Sequence, residues 1–154
     1  THRPESDEYG IASFVYRSRR PFHPERFWAM ANRKWPGVVR SKGFFWLASR
    51  PRFAGGWSQA GGTCRHGLAG LWWAAVPQEQ WPTDEESCAL IAQHWNDTVG
   101  DARQELVLIG IGMDEAAIRQ ELDGCLVSAD EMAAGPRAWL KYKDPFPAWG
   151  EAEH

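Results

Sequence analysis

The chain has 154 residues, a formal net charge of −3, 44% hydrophobic and 24% charged residues, a composition typical of one globular domain with a single core. No apolar run reaches the roughly 20 residues that a membrane-spanning helix needs, and the first residues lack the pattern of a signal peptide. The three cysteines are odd in number and widely spaced, which argues against a disulfide framework and indicates a reducing, cytoplasmic setting.

The charge is divided unevenly along the chain. Residues 1–66 carry 12 of the 17 basic residues and 4 of the 20 acidic ones, a balance of +8, and residues 67–154 have a balance of −11. Polarity of this kind affects association more than folding. The 10 tryptophans are predicted to be mainly core residues, with one or two at a contact surface.

The first elements are predicted from β-formers and prolines. Residues 1–8 are polar and are expected to form a linker or tail, followed by a strand at 9–17. Pro24 suits the first turn of a helix that runs to about Lys34, with His23 near its N-cap. Three strands are then expected at 38–48, 56–64 and 70–76, paired antiparallel because their connections are short. The glycine pairs at 55–56 and 61–62 are interpreted as a bulge or a close backbone approach.

The second half alternates helices with one strand. A capping box at 83–86 is predicted to open a helix with Cys88 on its apolar face. The run Leu106-Val107-Leu108-Ile109 predicts a central strand that is buried on both faces. Asp114 is expected to cap a further helix that buries Cys125, and a second capping box begins at Ser128.

The predicted order is β-α-β-β-β-α-β-α. It indicates an α+β fold with a mostly antiparallel sheet of about five strands and helices on one face, close to a split βαβ arrangement. Residues 9–135 are expected to form one domain, and residues 136–154 an extended aromatic tail that packs on it.

The sequence contains few residues arranged for catalysis. It has no Gly-x-Ser-x-Gly, no His-Glu-x-x-His and no nucleotide-binding glycine loop. Cys64 and His66 are two residues apart, so they would share a face of a strand and could bind zinc, but two ligands do not complete a site. His23 and His94 are possible further ligands, but the sequence does not place them near this pair. The alternative is that His66 is a turn residue and Cys64 a small buried one. Nucleic-acid binding by the basic first half is disfavoured by a pI near 5.9 and by the absence of a known motif.

Basic residues at the start of one strand could bind an anion or a partner, or could simply form a solvated strand end, which is common. In the segment Arg40-Ser41-Lys42-Gly43-Phe44-Phe45-Trp46-Leu47, the side chains of Arg40, Lys42, Phe44 and Trp46 are expected on one face because strand residues alternate. The basic end would lie at a rim of the sheet.

Several blocks in a fixed order resemble the C-terminal domain of CobW-type proteins. They are Tyr9-Gly10-Ile11-Ala12-Ser13-Phe14-Val15-Tyr16, the segment 20–26, the strand 40–47, the segment 57–62, the strand 104–110 and the closing segment 144–149. The resemblance runs from Tyr9 to Trp149, nearly the whole chain.

The resemblance implies a role beside a GTPase. Members of this family are GTP-binding metal chaperones that deliver zinc or cobalt to client proteins or support cobalamin synthesis. Their GTPase domain comes first and carries a phosphate loop and a Cys-x-Cys-Cys motif, neither of which is in this sequence. The chain is therefore expected to be an accessory domain without catalysis or a cofactor of its own, with zinc or cobalt and GTP implied only for the full-length family.

The implied partners are proteins. They are the GTPase domain in cis or trans, a metalloprotein client or a second copy, with no membrane contact. We expect Arg40 and Lys42 to contact an acidic partner surface, supported by Arg19, Arg20, Arg50 and Arg52. The alternative is a stand-alone metal-binding domain that uses Cys64 and His66.

Overall fold

The computed structural model describes residues 10–149; the expected linker at 1–8, Tyr9 and the last residues of the expected tail lie outside the described residues. The elements are β1 (Ile11–Ser18), α1 (Pro24–Ala31), β2 (Val38–Phe45), β3 (Phe53–Ala60), β4 (Thr63–Leu71), α2 (Glu85–Gln93), β5 (Gln104–Ile111), α3 (Glu115–Cys125), α4 (Ala129–Ala134) and α5 (Pro136–Trp139). The predicted α+β class and element order are confirmed.

The five strands form one antiparallel sheet in the order β1-β5-β2-β3-β4. Strand β5 lies between β1 and β2, so β1 and β2 run parallel to each other, with α1 in the connection between them. This is the split βαβ arrangement that the element order predicts, with β3 and β4 added at one side.

Helices α1 and α3 cover one face of the sheet. Phe27 and Met30 of α1 and Ile118, Leu122 and Cys125 of α3 are buried in one cluster with the sheet. The cluster also contains sheet and tail residues: Phe14, Tyr16, Phe45, Trp57, Leu106, Leu108, Phe146 and Trp149. A second cluster, around Trp46, Trp72, Val127 and Trp139, lies beyond the end of β2.

The β3–β4 hairpin differs from the prediction. Ala60 pairs with Thr63, so residues 61 and 62 form a two-residue loop, and Gly61 has φ +59°. A Gly-Gly pair between two β-forming runs is a hairpin signal, so the interpretation as a bulge was wrong at 61–62. Strand β4 therefore passes through His66. The segment 70–76, expected as a third strand, contains the end of β4 and a 3-10 turn at Trp73–Ala75. At the other glycine pair, 55–56, the strand register shifts between Ala54 and Gly55, in agreement with a bulge.

Strand β5 is buried on one face only. Leu106 and Leu108 are fully buried, whereas Val107 and Ile109 are 39% and 38% exposed. The prediction of burial on both faces was wrong, because α1 and α3 both pack on the side of Leu106 and Leu108. A short apolar run cannot by itself show how many of its faces are covered.

The helix ends agree with the sequence except at α2. The His23 side chain accepts a hydrogen bond from the Glu25 amide at the start of α1, and Ser128 forms a capping box with Glu131. Helix α2 is capped by Asp84, which accepts from the Ser87 amide, and not by Thr83. Cys88 is exposed, contrary to expectation, because Ile91 is the buried residue of α2.

The segment expected as an extended tail begins with the one-turn helix α5. It then runs in irregular conformation to Trp149, with Phe146 and Trp149 in the core. Within residues 10–149, no helix is long and apolar enough to cross a membrane.

Candidate interaction surface

The sheet has one face that α1 and α3 do not cover, here called the open face. Residues paired across antiparallel strands share a face, and the register pairs Arg40 with Ile109, Lys42 with Val107 and Phe44 with Glu105. The side chains of Arg40, Lys42 and Phe44 therefore lie on the open face together, as the alternation of the strand predicts. The open face divides into two parts of different chemistry.

The part formed by β1 and β5 is apolar. Ile11 and Ile111 are paired across the two strands and are 40% and 56% exposed. Val107 and Ile109 continue the same surface along β5. We call these four residues the apolar half of the open face. Large apolar side chains exposed side by side are typical of a protein contact surface, whereas single ones are not.

The part formed by β2, β3 and β4 is basic. Lys42, Ser58 and Arg65 form one row across the three strands, and Arg40 lies two residues before Lys42. We call Arg40, Lys42 and Arg65 the basic half of the open face. None of the three makes an ion pair with a residue of the described chain.

The sequence around the basic half contains no carboxylate. Residues 26–78 include eight arginines and lysines and not one aspartate or glutamate. On the open face, Glu105 bonds to Arg103 at 2.8 Å and lies 3.7 Å from Arg17, so its charge is compensated locally. The positive charge of the basic half is therefore not neutralised within residues 10–149, and it would attract an acidic surface of another protein.

Two of the four predicted supporting cations, Arg19 and Arg50, form hydrogen bonds within the domain. Arg19 donates to the carbonyls of Gly100 at 2.9 Å and His94 at 2.7 Å and so fixes the segment after α2. The remaining two are on the surface: Arg20 donates to the Val127 carbonyl at 3.3 Å, and Arg52 is exposed.

Arg50 holds the C-terminal segment. Its guanidinium bonds to the Asp144 carboxylate at 2.8 Å, donates to the Phe146 and Pro147 carbonyls, and lies 4.5 Å above the Trp149 ring. The side chain is 17% exposed. These contacts give Arg50 a structural role that the sequence did not indicate.

Cys64 and His66 share the helix-side face of β4, as predicted, and do not lie on the open face. The His66 ring packs among Trp57, Trp28 and Phe146, with centroid distances of 6.0, 6.2 and 5.4 Å. Burial lowers the pKa of His66, and the charge of Arg50 lowers it further. The Nδ1 atom of His66 is buried without a hydrogen-bond partner.

Metal binding by this pair lacks further ligands in the described chain. Cys64 is exposed, and its partial burial raises the pKa of its thiol. Among residues 10–149, no group of three or more His, Cys, Asp or Glu side chains could hold a metal ion. Cys64 and His66 could supply two ligands, and any others would come from outside those residues.

Sequence reasoning missed the apolar half and Arg65. Val107 and Ile109 were assigned to the core because the strand was expected to be covered on both sides. Arg65 was not considered because the hairpin loop was placed after it. The Gly61-Gly62 pair was the available signal, because a two-residue loop there puts Arg65 in register with Ser58.

Comparisons with known proteins agree with this fold. The family described as cobalamin synthesis protein cobW C-terminal domain matches residues 11–126. The chain is 39% identical over 150 residues to zinc-regulated GTPase metalloprotein activator 1 of Dictyostelium discoideum, which covers 95% of this chain and 31% of that protein. It is 36% identical over 140 residues to zinc chaperone Rv0106 of Mycobacterium tuberculosis, covering 90% of this chain and 35% of that protein.

A solved structure has the same fold. The crystal structure of Zn(II)-bound YjiA GTPase from E. coli aligns with a TM-score of 0.52 and 16% identity, over 80% of this chain and 32% of that one. The chain thus spans about a third of the length of the curated relatives that it matches. The family match covers most of the domain, from the beginning of β1 to the end of α3, and the chain belongs to the CobW C-terminal domain family.

Proposed function

We propose that this domain is the accessory part of a GTPase metal chaperone and that its open face binds the GTPase domain of that chaperone. It acts in the cytoplasm, and by itself it neither catalyses a reaction nor holds a cofactor. The observation that carries the proposal is that the apolar half and the uncompensated basic half lie side by side on the sheet face that α1 and α3 leave uncovered. Helix α2 lies only against the Phe44 end of that face.

The relatives support the choice of partner. Their names describe a zinc-regulated GTPase activator and a zinc chaperone, and about two thirds of each lies outside the region that this chain matches. A domain that works beside a GTPase in one polypeptide needs a surface for it. Burial of the apolar half would supply affinity, and the basic half would raise the association rate and fix the orientation against carboxylates.

The experiment is a binding measurement with purified proteins. The partner is the part of the Dictyostelium relative outside the matched region, titrated with this domain by calorimetry at low salt and at high salt. We expect the double variant Arg40→Glu and Lys42→Glu to weaken binding at low salt by about tenfold or more, and less at high salt because salt screens exposed charges.

Two further variants sharpen the result. Arg137→Glu with Lys141→Glu makes the same change in net charge on exposed residues of the C-terminal segment, and we expect no effect on binding. Ile111→Asp places a charge in the apolar half and should weaken binding at both salt concentrations. Unchanged binding of the Arg40 and Lys42 variant at low salt would contradict the proposal.

The other expected partners give different outcomes. If the open face joins two copies, sedimentation velocity will show a dimer of the domain alone that Ile111→Asp dissociates. If it binds a metalloprotein client, the GTPase part will not bind to the domain, and the client will lose affinity with the same variants.

A further inference from the structure

Strand β4 forms one edge of the sheet and has little protection against pairing. It is nine residues long and pairs only with β3. It contains no proline and no lysine, and its one charged residue is Arg65. Its register irregularity, which leaves Ala69 without a partner on β3, comes after Leu68 and so beyond Cys64 and His66. Natural edge strands are usually short, charged, bulged or covered, because their free backbone groups accept another strand.

The free backbone groups of β4 can be identified from the hairpin. The residues next to a two-residue loop form a hydrogen-bonded pair, here Ala60 and Thr63. Alternation then directs the backbone groups of Arg65 toward β3 and those of Cys64, His66 and Leu68 away from the sheet. No backbone hydrogen bond from elsewhere in residues 10–149 reaches these three residues, so three consecutive bonding positions face outward.

The opposite edge of the sheet is different. At β1, the Arg119 guanidinium donates to the Val15 carbonyl at 3.2 Å, and Glu115 holds Arg119 at 2.7 Å. The β1 edge thus has a side-chain contact that hinders a new strand, and the backbone of β4 at Cys64, His66 and Leu68 has none among the described residues.

Depressions on both sides of β4 can receive the side chains of an added strand. On the open face, a depression of about 500 Å³ lies over the paired glycines 56 and 67, beside Lys42 and Arg65. On the helix side, a cavity of about 670 Å³ is lined by Trp35, Trp57 and Cys64, with Arg33 and Lys34. Alternating pockets of this kind give specificity when an extended peptide extends a sheet.

The side chains around both depressions are basic, which favours an acidic segment as the added strand. Lys42, Arg65 and Lys34 have no ion pair within residues 10–149, and Arg33 pairs with Glu121 at the surface. Pairing of β4 with a second copy of itself would bring two basic edges together, which costs free energy. An acidic segment would instead be attracted from either side.

We propose that the outer edge of β4 binds an extended acidic segment of a partner protein, which adds to the sheet as a sixth strand. Acidic side chains lie toward Lys42 and Arg65, and apolar side chains lie toward Trp35 and Trp57. About five to seven residues are needed to pair with Cys64, His66 and Leu68, given a rise of about 3.4 Å per residue. The site shares Lys42 and Arg65 with the open face, but its backbone pairing at the β4 edge does not depend on the proposed GTPase contact.

The probe is a synthetic peptide, acetyl-Glu-Val-Glu-Val-Glu-Val-Glu-amide, titrated into the 154-residue chain. We expect saturable binding, with slower hydrogen exchange at the amides of Cys64, His66 and Leu68 and no change along β1. The peptide with lysine at every glutamate position is the charge control and should bind at least about tenfold more weakly. Arg65→Glu should reverse this preference, and Arg137→Glu should leave it unchanged.

Two methylated peptides test strand addition itself. One carries N-methyl groups on the valines and the other on the internal glutamates, so the sequence is the same and the blocked amides alternate. In a bound peptide, only every second backbone amide can face β4. These are the amides of the valines if the peptide adds antiparallel to β4, and those of the glutamates if it adds parallel. We expect one peptide to lose binding and the other to keep it. Loss by both, loss by neither, no saturable binding, or a β4-linked dimer of the domain would overturn the proposal.

Discussion

The side chain of Gln104 pairs reciprocally with the backbone of Trp46. Its Oε1 atom accepts a hydrogen bond from the Trp46 amide at 2.9 Å, and its Nε2 atom donates to the Trp46 carbonyl at 2.9 Å and to the Arg20 carbonyl at 3.0 Å. Strand β2 ends at Phe45, and the Trp46 carbonyl also accepts from the Phe22 amide at 2.8 Å, so it is the Trp46 amide that depends on Gln104 for a partner. A fully buried polar residue at the start of β5 therefore joins the ends of three segments.

We expect Gln104→Met to destabilise the domain by about 2–3 kcal/mol, because the buried Trp46 amide and the partly buried Arg20 carbonyl would lose their hydrogen-bond partner. The change conserves side-chain length, so loss of packing contributes little. Chemical denaturation followed by tryptophan fluorescence gives the free energy of unfolding. Gln120→Met on the exposed face of α3 is the control and should change it by less than about 0.5 kcal/mol. An equally small effect at Gln104 would contradict the assignment.

Replacement of Arg50 should release the C-terminal segment. Arg50→Met removes the bonds to Asp144 and to two backbone carbonyls and leaves a largely buried carboxylate without its cation, for which we expect a loss of about 2 kcal/mol. Limited proteolysis should then cut within residues 140–149, and tryptophan emission should shift to the red as Trp149 becomes exposed. Arg52→Met, on an exposed neighbour, should show neither change. If Arg50→Met keeps the protease resistance of the segment, another contact must hold it.

The ion pair between Arg26 and Glu131 makes stability depend on acid pH. The hydrogen bonds from Arg26, at 2.8 and 2.9 Å, and from the Ser128 amide lower the pKa of Glu131 from 4.5 to about 2. In the unfolded chain, Glu131 takes up its proton near its ordinary pKa. The stabilisation is therefore complete above about pH 4.5 and is lost as the pH falls through 2.

The charge of Glu131 can be removed without removing its capping bond. We expect Glu131→Gln to lower the free energy of unfolding by about 1 kcal/mol at pH 7, since Arg26 is partly exposed and water screens the pair. The difference between the variant and the wild type should decrease between pH 4.5 and pH 2. Glu121→Gln, in the more exposed pair with Arg33, should have a smaller effect. A difference that stays constant down to pH 2 would show that the charge is not responsible.

The sequence predicted the elements better than it predicted what covers them. The strand and helix order follows from local patterns such as Pro24 and the Ser128 capping box, which depend on neighbouring residues only. The exposure of Val107 and Ile109 depends on where distant helices pack, and no local pattern contains that information. The roles of Arg50 and Gln104 likewise depend on contacts across roughly half the chain. The alternation that places Arg40 and Lys42 on one face was predictable, whereas the neighbours that make this face amphipathic were not.

The three cysteines should differ in reactivity. Burial raises the pKa of Cys125 to about 11, and its sulfur lies 3.4 Å from the Glu121 carbonyl and 3.7 Å from the Met30 sulfur. Because alkylation requires a thiolate that the reagent can reach, we expect iodoacetamide at pH 8 to modify Cys64 and Cys88 only. The mass of the native protein should increase by two carbamidomethyl groups, and by three after denaturation. A third addition to the native protein would show that the core opens around α3.

The same reaction tests the metal hypothesis for Cys64 and His66. Zinc binds the thiolate, so an occupied site would protect Cys64 from alkylation. Since the described residues bring no third ligand to the pair, we expect stoichiometric zinc to leave the rate at Cys64 unchanged. Cys88, on helix α2, is the internal control. Protection of Cys64 alone, abolished by His66→Ala, would instead establish a metal site at β4 and would require ligands from outside residues 10–149.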